Sequence, residues 1–215
     1  MPLLQPRSTL RYQTLLVGGF ALLASAVISV GYRLTRADIA ERQAEDRLAS
    51  LRQVIPSAPA GAELLQNPLR ISGGPGEDVV AYRVRQSDRI ESVAYEVVAK
   101  GYSGDIVLVM GVAPDGKLLG VRVVSHAETP GLGDKLELAK SDWILSFTGR
   151  SLDDPPPKGW AVKKDGGEFD QWTGATITPS AVVKAVKRGL EFFAAHRGEL
   201  LAARSGASGG VRERH

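Results

Sequence analysis

Thr14 to Tyr32, TLLVGGFALLASAVISVGY, runs 19 residues without a charge. At roughly 1.5 Å of rise per residue, a helix of that length matches the hydrocarbon core of a bilayer. This segment divides the chain. The main domain is expected beyond it, after a 13-residue leader. Gly18, Gly19, Ala21, Ala24, Ser25 and Ala26 are small enough to let other membrane helices approach closely. A cleaved secretory signal has a similar basic start and apolar core, and Ala24-Ser25-Ala26 resembles a cleavage pattern. It lies inside the apolar run, however, and that run is long for such a signal. A buried helix of a soluble domain is the third reading, and the absence of charge over 19 residues disfavours it.

Flanking positive charge orients such a helix. Arg7 and Arg11 precede it and Arg33 and Arg36 follow it, so the counts tie. The free amino terminus adds a vote for the inside, and a short leader before a first hydrophobic segment behaves as a signal-anchor. The expected topology has the amino terminus in the cytoplasm and the main domain across the membrane. The expected divisions are a leader over 1–13, a transmembrane helix over 14–32, a stalk helix over 33–55, a folded domain over 56–202 and a disordered tail over 203–215.

The residue types exclude several chemistries. With no cysteine, thiolate-ligated iron–sulfur clusters, cysteine-ligated zinc, disulfides and c-type haem attachment are ruled out within this chain. The three histidines are far apart in sequence, and no metal site is assigned. Net charge is +3 with the basic residues scattered, which is not the clustered stripe of a nucleic-acid surface. Redox chemistry here needs an organic cofactor.

Beyond the anchor, Arg33 to Val54 is rich in Ala, Glu, Arg and Leu, with Leu48, Leu51 and Ile55 at near-helical spacing. Pro56 and Pro59-Ala60-Gly61 end it. Gly73 to Gly76 is a turn. Val79–Val84 and Val93–Val98 have strand character, and Ile106–Val112 is a near-continuous apolar run suited to a buried strand. Asp115-Gly116 signals a hairpin, with Lys117–Val124 returning against Ile106–Val112. The sheet is therefore at least partly antiparallel. Leu136–Phe147 is expected to include a helical segment with Trp143 and Phe147 on one face. Pro155-Pro156-Pro157 reads as a rigid exposed loop, Trp160–Val162 as a short strand, and Asp165-Gly166-Gly167 as a turn. From Pro179 to His196, Val182, Val186, Leu190 and Phe193 share a helical face while Lys184, Lys187 and Arg188 point elsewhere. Thr178 is the expected cap and Pro179 suits the first turn.

Two segments carry candidate chemistry. Thr173-Gly174-Ala175-Thr176 lies between a turn and a helix start. Its small residues leave room for a bulky group, and the helix beginning there offers unpaired backbone donors to a phosphate. The Thr176 hydroxyl can form a phosphoester, although no base accompanies it to activate it. Locally, such a segment also reads as a plain loop and cap. The second segment is His126-Ala127-Glu128-Thr129-Pro130-Gly131-Leu132-Gly133. Pro130 fixes one dihedral while Gly131 and Gly133 permit close backbone paths. It also reads as a polar loop after a strand with no ligand contact, with His126 as its anchor.

Three matches carry a family resemblance: DQWTGATIT over Asp170–Thr178, SHAETPGLGD over Ser125–Asp134, and their order after one membrane helix and before a final helix. On these the chain resembles the G subunit of the bacterial Rnf electron-transport complex. It is also similar to the C subunit of the sodium-pumping NADH:quinone reductase, and both belong to the FMN-binding domain family. The resemblance implies an α+β fold: one N-terminal transmembrane helix, then a periplasmic FMN-binding domain with a partly antiparallel sheet and flanking helices. It implies one FMN per chain, esterified through its phosphate to Thr176 by a separate flavin transferase that uses FAD and magnesium. Thr173, Gly174, Ala175 and Thr178 would surround the attachment. Glu128 and Thr129 would hydrogen-bond ring or ribityl groups, with His126, Pro130, Gly131, Leu132 and Gly133 completing that loop against the flavin. Thr173 and Pro179 stand where serine is common in the family. The implied function is electron relay in a bacterial inner-membrane complex coupling ferredoxin–NAD electron transfer to ion movement, with the other Rnf subunits as partners. No catalytic residue is implied within this chain. The alternatives are the C subunit of the sodium-pumping reductase and a membrane-anchored assembly module without a cofactor.

Overall fold

A computed structural model of the protein describes residues 7–55, 68–72, 78–86 and 89–202. The expected turn at Gly73–Gly76, the helix breakers at Pro56 and Pro59-Ala60-Gly61, the first residues of the leader and the tail from 203 lie outside the described residues, as does the side chain of Leu48. The chain divides into two compact units, Met1–Asp46 and Arg47–His215. Helix α1, Arg7–Val54, contributes to both.

In the first unit, Tyr12–Ser29 is the one stretch among the described residues long and apolar enough to cross a membrane. Leu15, Phe20, Leu22 and Ile28 stand exposed along it. A soluble protein's core helix would bury such side chains, so the reading as a buried helix fails here.

The second unit is built on a five-stranded sheet in the order β1-β2-β3-β4-β5: Leu69–Ile71, Val79–Gln86, Arg89–Lys100, Asp105–Val112 and Leu118–Ser125. Every pairing is antiparallel, so the sheet expected to be partly antiparallel is wholly so among the described residues. The β4–β5 hairpin forms where Asp115-Gly116 placed it. Gly116 has φ +95°, a conformation that costs a side-chain-bearing residue strain. Val79–Val84 and Val93–Val98 are both parts of longer strands. Strand β1 has only three residues and offers no pattern to read.

The apolar run of β4 follows from burial on both faces. Side chains alternate across a strand. Ile106, Leu108, Met110 and Val112 join the main core, while Val109 faces the opposite side. Helix α2, Ile177–Leu200, covers the main-core face with Val182, Val186, Leu190 and Phe193, all buried as the helical pattern required. Lys184 and Arg188 are exposed, and Lys187 is half-buried. The Tyr95 hydroxyl donates to the carbonyl of Gly189 at 2.8 Å inside this core. Burial raises its pKa above the ordinary tyrosine value, which keeps it a neutral donor.

The other face of the sheet receives the end of α1. Leu51, Val54 and Ile55 pack with Tyr82, Val84, Ala94 and Val109. Gly111 and Gly120 are partners across β4 and β5, and together they make a flat seat for Val54. A Cβ on Gly111 would run into the Val54 carbonyl and stand 3.3 Å from Ile55 Cγ1. Gly111→Val is therefore expected to lift Leu51–Ile55 from the sheet and cost about 1–3 kcal/mol. Denaturant unfolding of the detergent-solubilised chain, with faster hydrogen exchange confined to these residues, is the check.

Three local expectations are corrected and one is met. Leu136–Phe147 includes the expected helical segment, a 3-10 helix over Asp142–Phe147 capped by the Ser141 hydroxyl accepting from Trp143 N at 3.2 Å, and a further 3-10 turn at Asp134–Leu136 precedes it. Trp143 and Phe147 still meet edge to face, their ring centroids 5.3 Å apart. Trp160–Val162 is not a strand, because only Val162 bridges, in parallel, to Phe169. Pro155 is buried while Pro156 and Pro157 are exposed, so the proline run is partly interior. Thr178 does not cap α2. The N-cap position belongs to Thr176, which makes no side-chain cap bond, and Thr178 lies within the first turn. Pro179 does fall in that turn.

Candidate functional site

Three segments far apart in sequence converge on one cavity of about 450 Å³. The β3–β4 turn supplies Tyr102, the segment after β5 supplies Glu128, Thr129, Leu132 and Gly133, and the start of α2 supplies Gly174 to Thr178. The volume falls within the range of small-molecule pockets. Tyr102, Leu132 and Ile177 are 72%, 46% and 54% exposed, which is unusual for large apolar groups lining one hollow. They offer flat, water-facing apolar surface, and Thr176 lies on the same rim.

The segment from Asp170 to Thr176 is pinned before it reaches the cavity. Trp143 Nε1 donates to the Asp170 carbonyl at 2.8 Å, and the Trp143 and Trp172 rings meet edge to face at 5.1 Å. Lys163 Nζ pairs with Asp170 at 2.5 Å. Ala175 N donates to the Trp172 carbonyl at 3.2 Å, closing a tight turn. Gly174 carries φ +87° in that turn, where a Cβ would be strained. Thr173 is exposed and does not line the hollow, whereas Thr176 sits where the chain enters α2. Since the Thr176 hydroxyl does not cap its own helix, the amides of Ile177 and Thr178 stay available to an anion, while Pro179 has no N–H to offer.

The loop after β5 is anchored by His126. Glu128 N donates to His126 Nδ1 at 3.0 Å, so that nitrogen carries no proton. The proton sits on Nε2, which donates to Glu137 Oε1 at 2.8 Å. Leu132 N and Gly133 N both return to the Thr129 carbonyl, at 3.1 and 3.0 Å, and wind Thr129–Gly133 into a compact turn. Pro130 and Gly131 are exposed at its tip and do not line the cavity. His126 faces a second, open hollow of about 700 Å³ with Gln53, Arg122 and Glu137. Burial holds the Arg122 guanidinium below its ordinary pKa.

Of the residues singled out from sequence, Gly174, Ala175, Thr176, Thr178, Glu128, Thr129, Leu132 and Gly133 come together at the cavity. Thr173, His126, Pro130 and Gly131 support or flank it. Sequence reasoning missed Tyr102 and Ile177. Each carries a signal: an aromatic residue isolated in the polar Gly101–Gly104 turn, and an apolar residue off the buried stripe of α2.

FMN presents a planar apolar ring system at one end and a phosphate at the other. Apolar walls on one side, with a hydroxyl and a helix N-terminus beside them, fit both ends. Among the lining residues only Tyr102 and Glu128 are titratable, and both Glu128 oxygens already accept bonds from the protein. Thr176 thus has no free carboxylate at the cavity to activate it.

Residues 101–191, which span all three segments, match the FMN-binding domain family. Across the longer chain, the G subunit of the ion-translocating oxidoreductase complex of Cereibacter sphaeroides is 47% identical over 188 residues, covering 87% of this chain and 86% of that one. Its counterpart from Pseudomonas aeruginosa is 46% identical over 201 residues, covering 91% and 94%. The crystal structure of Shewanella oneidensis NqrC aligns with a TM-score of 0.46 and 28% identity over 60% of this chain and 68% of that one. With nearly half its residues shared over almost the full length of these relatives, the chain belongs to the family of G subunits of ion-translocating oxidoreductase complexes, and its second unit carries their FMN-binding domain.

Proposed function

We propose that this protein is a membrane-anchored electron carrier whose FMN is esterified through its phosphate to Thr176, one flavin per chain. The observation that carries this reading is the position of Thr176. It is a hydroxyl not used in capping, at the N-terminus of α2, on the rim of a cavity with apolar walls inside the FMN-binding domain. A bound flavin supplies one- and two-electron chemistry. The chain's own residues hold, orient and partly cover it. Tyr102, Leu132 and Ile177 offer faces for the ring, and the α2 amides favour the phosphate. With no free base beside Thr176, attachment falls to a separate flavin transferase acting on FAD.

In this reading the amino terminus lies in the cytoplasm and Thr14–Tyr32 crosses the inner membrane of a bacterium. Residues 33–55 lead out of the membrane, and 56–202 form the flavin domain in the periplasm. The relay serves a complex that couples electron transfer between ferredoxin and NAD to ion movement, and the partners are its other subunits. The test is intact mass and peptide mapping of the protein purified from its native membrane. The expected result is one added FMN on the peptide spanning Asp170–Thr178. An unmodified peptide in that natively matured material overturns the carrier reading.

A further inference from the structure

We propose that Glu128 is a positioning residue that sets the width of the flavin slot, acting through Ser103 and Thr178 and not on the flavin itself. The proposal rests on the reading that this cavity holds the flavin. Glu128 is only 5% exposed, which is rare for a carboxylate unless protein donors satisfy it. Here they do. Its Oε1 accepts from the backbone N–H of Ser103 at 2.9 Å, and its Oε2 accepts from the Thr178 hydroxyl. Its own N–H is held by His126. The side chain therefore ties the β3–β4 turn to the first turn of α2, while its backbone belongs to the third wall.

Two glycines make room for this tie. A Cβ on Gly101 would stand 2.7 Å from Ile106 Cδ1 and 3.0 Å from the Glu128 carboxyl carbon. A Cβ on Gly133 would stand 2.8 Å from Glu128 Cβ and 2.9 Å from its Oε2. The carboxylate thus threads between the backbones of two walls. Every attachment point is one residue from a cavity-lining side chain: Gly101 and Ser103 flank Tyr102, Gly133 follows Leu132, and Thr178 follows Ile177. Moving the carboxylate moves Tyr102, Leu132 and Ile177 relative to one another. A carboxylate that keeps only one of its two donors is left undersatisfied in a buried place, so both bonds hold or loosen together.

The test compares wild type, Glu128→Gln, Thr178→Val, Thr178→Ser and the Glu128→Gln/Thr178→Val double variant. Each is produced with its flavin transferase and purified as the full chain in detergent. Gel fluorescence after denaturation reads attachment, while flavin anisotropy and iodide quenching of the native protein read how firmly the ring is held. Attachment is read first in all five, and anisotropy and quenching are then compared per attached flavin. Glu128→Gln and Thr178→Val are each expected to lower anisotropy and raise the iodide quenching constant by roughly twofold or more, and the double variant to do no worse than the stronger single, as for two ends of one contact. Thr178→Ser, which keeps the donor, is expected to match wild type. Normal anisotropy in Thr178→Val, or additive effects in the double variant, overturns the proposal. Should Glu128→Gln fail to fold, the Val and Ser variants at 178 still decide it. Wild type lacking attached flavin overturns the flavin reading and this proposal together, whereas attached flavin with unmoved anisotropy overturns the positioning role alone.

Discussion

Thr176→Ala is expected to remove covalently held flavin completely while leaving the fold intact. A phosphoester needs a side-chain oxygen, and alanine has none. Nearby hydroxyls are poor substitutes. Thr178 is 1% exposed and its hydroxyl is committed to Glu128. Thr173 is exposed but is not part of the cavity lining. Stability should change little, because Thr176 makes no side-chain cap bond and so the ~1 kcal/mol typical of a lost cap is not at stake. In a denaturing gel the variant should show no fluorescence, its intact mass should fall by one FMN, and its melting temperature should match wild type. Thr176→Ser, which keeps an oxygen, should retain attachment. Fluorescence persisting in the alanine variant would place the flavin elsewhere.

Gly189→Val should have the largest effect on stability. Gly189 lies where α2 presses on the sheet, against Met110 and Val97. A Cβ there would stand 3.1 Å from Val97 Cγ1 and collide with the Met110 sulfur. Pushing the helix outward also breaks the 2.8 Å bond from Tyr95 to the Gly189 carbonyl, stranding the tyrosine donor in the core. Overpacking costs about 1–3 kcal/mol and unpaired buried polar groups about 1–3 kcal/mol more, so a loss of roughly 3–5 kcal/mol is expected. Marginal domains do not survive losses of that size well. Urea unfolding followed by tryptophan fluorescence measures it. Tyr95→Phe separates the polar share, since it removes the hydroxyl without adding volume.

Much of the fold was legible because its signals are local. The Asp115-Gly116 hairpin needs one left-handed residue, and glycine announces it. The buried stripe of α2 repeats at helical spacing, and the exposed basic residues fall between its members. At the site, the threonine-bearing turn and the loop after β5 were readable as motifs. What failed was decided by distant partners or by small energetic margins. Thr178 has the composition of a cap, yet it turns its hydroxyl toward Glu128, fifty positions away in sequence. The tie from Glu128 to Ser103 was not legible, because Ser103 sits across the fold. Tyr102 became visible as a wall only when the β3–β4 turn was brought beside the start of α2.

The unbroken succession of neighbours in the sheet has a consequence for biogenesis. Each hairpin can close with a strand synthesised just before it, so pairing keeps pace with a chain leaving the ribosome or translocon. Helix α2, which covers Tyr95 and Met110, is made after the five strands of this sheet, with Thr176 at its leading edge. A message cut short before Ile177 would encode a sheet with a greasy face uncovered, prone to stick to other chains and to be degraded. Covering the apolar face of the sheet and presenting Thr176 at the cavity thereby depend on the same stretch of chain.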